Sequence, residues 1–177
     1  MAISQYKVIN PVGPVALSDT ATVQQFPLGF KVDAVKIGSA SNDSGGYGRF
    51  MYAQGSNVAS AGQFVNIFNG SAVLLASGNS SSFGPIGVAA GVLSATNAYG
   101  WVQMEGYVDY YRHTNVAGAV NIPIYYGSTA GQIGTVSVTG SRIEGIFVPN
   151  SWTSSQSASV TLYLDGAVRV RGITANN

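Results

Sequence analysis

The chain has no cysteine. That absence excludes disulfides, thiolate metal sites and thiol nucleophiles, and it leaves the redox compartment unmarked. Charge is also scarce. Eight basic and seven acidic residues make up 8% of the chain, against about 25% in an ordinary domain. A net charge of +1 offers little to a phosphate backbone or an anionic membrane, so neither nucleic acid nor membrane is expected as a partner. His113 is the sole histidine, and any Ser–His or His–metal chemistry must run through it. No G-x-S-x-G elbow presents a serine. Long apolar runs are missing as well: "PIGVAAGVL" is glycine-broken and far below the ~20 residues of a membrane helix. The opening "MAISQYKVIN" lacks the uninterrupted apolar core of a signal peptide. The sequence reads as a soluble protein made and used without membrane export.

Hydrophobic residues make up 46% of the 177, a content that disordered chains lack. At this length one domain, or two small lobes sharing an interface, can bury a sizeable core. The polar positions are mainly Ser, Thr, Asn, Gln and Gly, so the surface repels neighbours weakly and suits a protein packed against others.

Helical periodicity is nearly absent, and 23 glycines would each weaken a helix interior by about 1 kcal/mol relative to alanine. Alternation with period two takes its place. In "SVTLYLDG", Val160, Leu162 and Leu164 share one face, opposite Thr161, Tyr163 and Asp165. In "AVRVRG", Val168 and Val170 oppose Arg169 and Arg171. An odd-length turn through Asp165, Gly166 and Ala167 would pair Leu164 with Val168 and Leu162 with Val170, keeping the apolar sets together. Further strands are expected over Arg49 to Gln54, Gln63 to Phe68, Ala72 to Ala76, Gly87 to Val92, Gly100 to Tyr110, Ile122 to Tyr126, Thr135 to Thr139 and Ile143 to Val148. Turn clusters such as "SNDSGGYG", "FNGS" and "PNSWTSSQS" separate them. Many short strands at near-regular spacing predict an all-β sandwich or barrel of antiparallel strands.

Residues 1–30 carry Pro11, Pro14 and Pro27 among isolated hydrophobics, including Tyr6, Val8, Ile9 and Phe26. Prolines disfavour central strands. The segment therefore reads either as an extended N-terminal arm lying on something else or as an edge strand on its own domain. Residues 31–177 form the β-rich body. A faint echo between "NVASAGQFVNI" at 57–67 and "NVAGAVNI" at 115–122 suggests two related β units meeting near residue 112.

Catalytic groups are thinly supplied. Glu105 and Asp109 form the best carboxylate pair, but four residues along one strand separates them by about 13 Å, beyond the roughly 5–9.5 Å of glycosidase pairs. "GGYGRF" precedes a strand, not the helix N-terminus that cradles phosphate. "SNDSGG" lacks the spaced acidic ladder of a calcium loop. No catalytic residue, cofactor or metal is expected.

"GWVQMEGYVDYY" is the most aromatic stretch. Alternation places Gly100, Val102, Met104, Val108 and Tyr110 on a core face. Tyr99, Trp101, Gln103, Glu105, Tyr107, Asp109 and Tyr111 share the other. Trp and Tyr bury large area while keeping a polar tip, so that face reads as a contact surface or as the inner side of a second sheet.

Several motifs occur in a telling order: "FPLGFKVDA" at 26–34, "YGRFMYAQGSNVASAGQFV" at 47–65, "GPIGVAAGVLSATNAYGWVQMEGYV" at 84–108, "AGAVNIPIYYGSTAGQIG" at 117–134, "RIEGIFV" at 142–148 and "ASVTLYLDG" at 158–166. The series resembles the capsid decoration, or cement, head proteins of tailed bacteriophages. The resemblance implies a β-rich virion structural protein that binds the outside of an assembled shell of major capsid protein, often as a homotrimer, after synthesis in the host cytoplasm. It carries over no catalytic residue. From the residues themselves, the arm (Tyr6, Val8, Ile9, Pro11, Phe26) and the aromatic face (Trp101, Tyr107, Tyr111) are the expected contacts. An alternative is a glycan-binding head of a spike or fibre, for which Trp152 in "PNSWTSSQS" is the best sugar platform. An enzyme is a third class and requires His113 and carboxylates to meet in a pocket.

Overall fold

A computed structural model describes residues 6–9, 16–36, 46–76, 84–94, 98–108, 119–127, 129–135, 142–149, 151 and 162–171, with backbone only at Tyr6, Lys36, Val170 and Arg171. These residues contain strands and no helix, so the all-β expectation holds. In chain order the strands are β1 (Tyr6–Val8), β2 (Lys31–Lys36), β3 (Gly46–Gly55), β4 (Asn57–Val58), β5 (Phe64–Phe68), β6 (Ser71–Leu74), β7 (Ile86–Ala89), β8 (Leu93–Ser94), β9 (Tyr99–Val108), β10 (Ile124–Tyr126), β11 (Ile133–Gly134), β12 (Arg142–Phe147) and β13 (Leu162–Arg171).

Two long strands organise everything else. β3 and β9 pair antiparallel from Gly48 opposite Gly106 to Gln54 opposite Tyr99. The other edge of β3 is shared, its first half by β2 and its last two residues by β6 in the only parallel pairing among the described strands. The other edge of β9 is likewise shared, by β7 at Val102 and Gln103 and by β13 from Glu105 onward. Because β6 pairs with β5 and β5 with β7, the path β3–β6–β5–β7–β9 returns to β3 and closes a five-stranded ring.

The inside of that ring is narrow, and small or flexible side chains fill it. Ala53, Val65, Ile67, Ala72, Ala89, Val102 and Met104 form one buried cluster. Val58 and Leu93, from the two-stranded β4–β8 sheet, belong to it and close the end beside Gly55 and Gly100. Alternation along each strand sends the intervening residues outward.

Beyond the ring, β1 and β2 extend one side of the sheet, and β13, β12, β10 and β11 extend the other. The extension packs over the outside of its own barrel. Val32, Ala34, Ile124, Ile143, Leu162, Leu164 and Val168 from the extension share a second, larger cluster with Phe50, Phe64, Ile86, Val88, Trp101 and Val108 from the ring strands. Each such side chain, once fully buried, contributes roughly 1.5–3 kcal/mol relative to exposure.

The first thirty residues, in their described parts, lie against this same body. β1 is an edge strand on β2. Leu17 is buried in the larger core. Ala21 and Tyr99 exchange both backbone hydrogen bonds, at 2.9 and 3.1 Å. Phe26 packs on Phe30, Tyr52 and Trp101 with ring centroids 5.7, 5.2 and 5.3 Å away. Of its described apolar residues, Val8, Leu17, Phe26 and Phe30 pack on its own sheet, while Ile9 and Val23 are exposed.

One expectation is overturned at Asp165 and Gly166. These residues do not turn the chain, because Leu162 to Arg171 run on as the single strand β13. Leu162 pairs with Val108 and Val170 with Ile143, not with each other. The register along β12 jumps from Glu144 opposite Arg169 to Ile146 opposite Leu164. Asp165 Oδ1 accepts the amide N–H of Ala167 at 2.8 Å and Gly166 has φ 82°. An aspartate that bonds two residues on and a left-handed glycine can shape a bulge as readily as a hairpin loop. β9 holds the strand up to Asp165 and β12 takes it up again at Arg169, so on the β12 side residues 165–168 stand against Gly145 alone in a wide bulge. Leu162, Leu164 and Val168 still share one core. The expected strand at Thr135 to Thr139 lies outside the described residues after Thr135.

Candidate functional site

The long strand β9 changes face partway along. Arg49 pairs with Glu105 and the next residue, Phe50, pairs with Gln103, so Met104 is an extra residue bulged out of the ladder. A one-residue insertion exchanges inside and outside for every position beyond it. Trp101 and Gln103 therefore face the larger core along with Gly106 and Val108. Val102 and Met104 face the barrel interior, and Glu105 and Tyr107 share that side of the strand where it has left the barrel. This corrects the single alternating pattern expected for Gly100 to Tyr110. Trp101 is 2% exposed and is a core residue, not a contact.

Gln103 holds the bulge. It is fully buried, and its side-chain amide donates to the carbonyls of Glu105 and Tyr107 at 3.2 and 3.0 Å. Gly106, with φ 97°, follows directly, and a Cβ there would collide with the Tyr47 backbone. Its backbone approach to β3 excludes any larger residue.

Past the bulge, the outward side of β2, β3, β9, β13 and β12 is an open face. Tyr107 pairs with Tyr163, and Tyr163 with Phe147. Their rings follow one another at 5.1 and 6.3 Å, inclined by 65° and 49°. Tyr107 rests over Gly46, whose missing Cβ would meet its Cδ2 at 3.1 Å. Tyr47 and Val35 continue the row on β3 and β2, and Phe147 at its other end is 53% exposed.

A charged row runs beside the aromatic one. Asp33 Oδ1 accepts the Tyr47 hydroxyl at 2.6 Å and Arg49 Nε at 3.0 Å. Arg49 also donates to the Tyr47 oxygen at 2.8 Å and reaches Glu105 Oε2 at 3.1 Å. Asp165 stands opposite Glu105 in register. The Tyr47 hydrogen bond, aided by Arg49 and opposed by partial burial, holds the Asp33 carboxyl below the usual aspartate range. The same bond pushes the Tyr47 phenol up. This arrangement gathers ring edges, carboxylates and a guanidinium on one side of the sheet. Among the described residues no group of three or more His, Asp or Glu is placed to hold a metal ion.

The expected contact residues are scattered. Tyr107 is on the open face. Tyr6 is in the edge strand, paired with Lys36. Val8 and Phe26 are half-buried against the core, while Ile9 is 57% exposed. Pro11 and Tyr111 lie outside the described residues, as do Asp109, His113 and Trp152. Tyr47, Arg49, Asp33, Phe147, Tyr163 and Asp165 escape sequence reasoning as a group. Their signal is alternation on separate strands (Tyr47 and Arg49 against Phe50 and Tyr52, Tyr163 and Asp165 against Leu162 and Leu164), and only the register brings them together.

Neither a protein-family model nor a curated protein matches this chain.

Proposed function

We propose that this chain is a virion structural protein, a decoration or cement protein that binds the outer surface of an assembled major capsid protein shell as a homotrimer and stabilises it. The observation that carries this reading is the open face, where Tyr47, Tyr107, Tyr163 and Phe147 line up on adjacent strands beside paired charges. Large aromatic rings that remain partly exposed along one side of a sheet are the composition of a protein interface. The ordered motifs "YGRFMYAQGSNVASAGQFV" and "YGWVQMEGYV" support the same reading, because they supply β3 and β9, the two strands on which that face is built. Binding the assembled lattice in preference to free subunits would stabilise it by mass action, and many copies would add avidity.

The glycan-binding alternative rests on Trp152, outside the described residues; on the open face itself the rings suit a protein better than a sugar. Sugars stack on flat platforms, and rings inclined by 65° and 49° present edges as much as faces. The test is to mix the purified protein with undecorated heads of the virus that encodes it. Saturable co-sedimentation at a fixed ratio to capsid subunits, with a raised temperature of head disruption, is the expected result. Absence of binding overturns the reading, and hits on a glycan array would put the alternative in its place.

A further inference from the structure

The middle of the open face holds three carboxylates and one cation. Arg49 serves Asp33 and Glu105, at 3.0 and 3.1 Å. Asp165 makes no ion pair among the described residues, and its Oδ1 accepts the Ala167 amide. Glu105 and Asp165 stand side by side on neighbouring strands, each two residues from a tyrosine of the aromatic row. Each also borders a glycine. A Cβ at Gly145 would meet the Asp165 carboxylate at 2.5–3.1 Å, and one at Gly166 would meet Glu105 Oε2 at 3.0 Å. Both glycines have positive φ, at 84° and 82°, so the backbone is bare where a side chain would otherwise shield the acids. Lys31, two residues from Asp33 on β2, and Lys7, opposite Val35 on β1, share this side of the sheet, and Arg169 faces Glu144 at 4.0 Å.

We infer that this face receives a Lys- or Arg-bearing segment of a partner protein, with the cation seated between the Glu105–Asp165 pair and the rings of Tyr107 and Tyr163, and apolar neighbours on Phe147. The inference rests on the shell-binding reading and names the chemistry that the shell must present. A partner cation there pairs locally with Asp165, which makes no ion pair among the described residues. It gains charge-assisted hydrogen bonds from two carboxylates and a cation–π contact from the rings.

The experiment compares wild type with the double variant Glu105→Gln, Asp165→Asn for binding to undecorated heads. Gln keeps an acceptor for Arg49 and Asn keeps one for the Ala167 amide, so two charges are lost with little change of shape. The double variant should bind at least about tenfold more weakly, and raising NaCl from about 50 to 500 mM should weaken wild type but not the variant. Phe147→Ser should weaken binding, whereas Phe68→Ser, on the barrel wall, should not. If wild type binds but the double variant binds equally tightly, or if wild-type affinity ignores salt, the cation inference is overturned and shell binding stands. If wild type does not bind at all, the shell-binding reading fails first and the inference falls with it.

Discussion

The side-chain amide of Gln103 donates to the backbone carbonyl of Tyr107 across 3.0 Å, four residues further along the same strand. In a regular strand those positions are about 13 Å apart, beyond the reach of a glutamine. The bond exists because β9 is folded at Met104, and it helps to keep the fold there. It also hands β9 from one neighbour to the next, since β7 is its partner before the bulge and β13 after it. The bulge turns Tyr107 outward to meet Tyr163, and without it the open face would not exist.

Removing that amide should therefore be costly. Gln103→Leu keeps the volume and removes two part-buried hydrogen bonds to the Glu105 and Tyr107 carbonyls, so unfolding in urea should show a loss of about 1–3 kcal/mol. Gln103→Ala should lose at least as much, with a cavity added. A Gln103→Leu protein as stable as wild type would mean that the strand bends without help from the amide.

Two glycines with similar backbone angles separate strain from collision. At Gly29, with φ 82°, an added Cβ would meet nothing within 4 Å, whereas at Gly106, with φ 97°, it would run into the Tyr47 carbonyl. Gly29→Ala should cost only the left-handed penalty of about 1 kcal/mol. Gly106→Ala adds a backbone collision and should exceed it by at least about 2 kcal/mol. Thermal unfolding of both variants checks the difference, and equal losses would remove close approach as the reason for Gly106.

Much of this fold is legible in the sequence, and the failures have local causes. Strand patterning locates β3, β5, β7, β9, β10 and β12 to within a few residues, although β5 and β7 are buried on both faces and read as short apolar runs between turn residues. "KVDAVK" at β2 escapes it. The inward pair there is only Val32 and Ala34, and the outward Val35 is apolar too, so alternation is blurred. The bulge at Met104 is not visible, since nothing in "VQMEG" separates a bent strand from a straight one until β3 and β13 fix the register. For the same reason alternation puts Trp101 outside and makes a turn of Asp165–Gly166. Single strands can be read, but the face made by five of them cannot, because it depends on long-range pairing.

Trp101 and Phe147 should respond in opposite ways to truncation. Trp101 contacts Phe26, Phe30 and Tyr52 within the larger core, so Trp101→Ala should cost about 3–5 kcal/mol. Phe147 is half in solvent, and Phe147→Ser should cost under about 1 kcal/mol while weakening partner binding. Urea titration beside a head-binding assay reads both quantities. A stable Trp101→Ala protein that fails to bind would return Trp101 to the interface.

Acid should probe the charged row through Asp33. Its carboxyl is held below the usual range first by the Tyr47 hydroxyl and then by Arg49, with partial burial acting the other way. A carboxyl with a lowered folded pKa stabilises the fold fully above its unfolded value, and that contribution is lost as pH falls through the folded value. Solvent reaches the group, so the effect is small and lies on the acid side. Tyr47→Phe removes the leading cause while keeping the ring, and should raise the Asp33 pKa toward its ordinary value. The stability change between neutral pH and about pH 3 should shrink accordingly. On the alkaline side the sign reverses: the Tyr47 phenol is raised by the same bond, so its contribution is present below the unfolded tyrosine pKa and disappears as pH climbs through the folded one. NMR titration of the Asp33 carboxyl carbon in both proteins decides the matter. An unchanged Asp33 pKa in Tyr47→Phe would leave Arg49 as the group that organises the row.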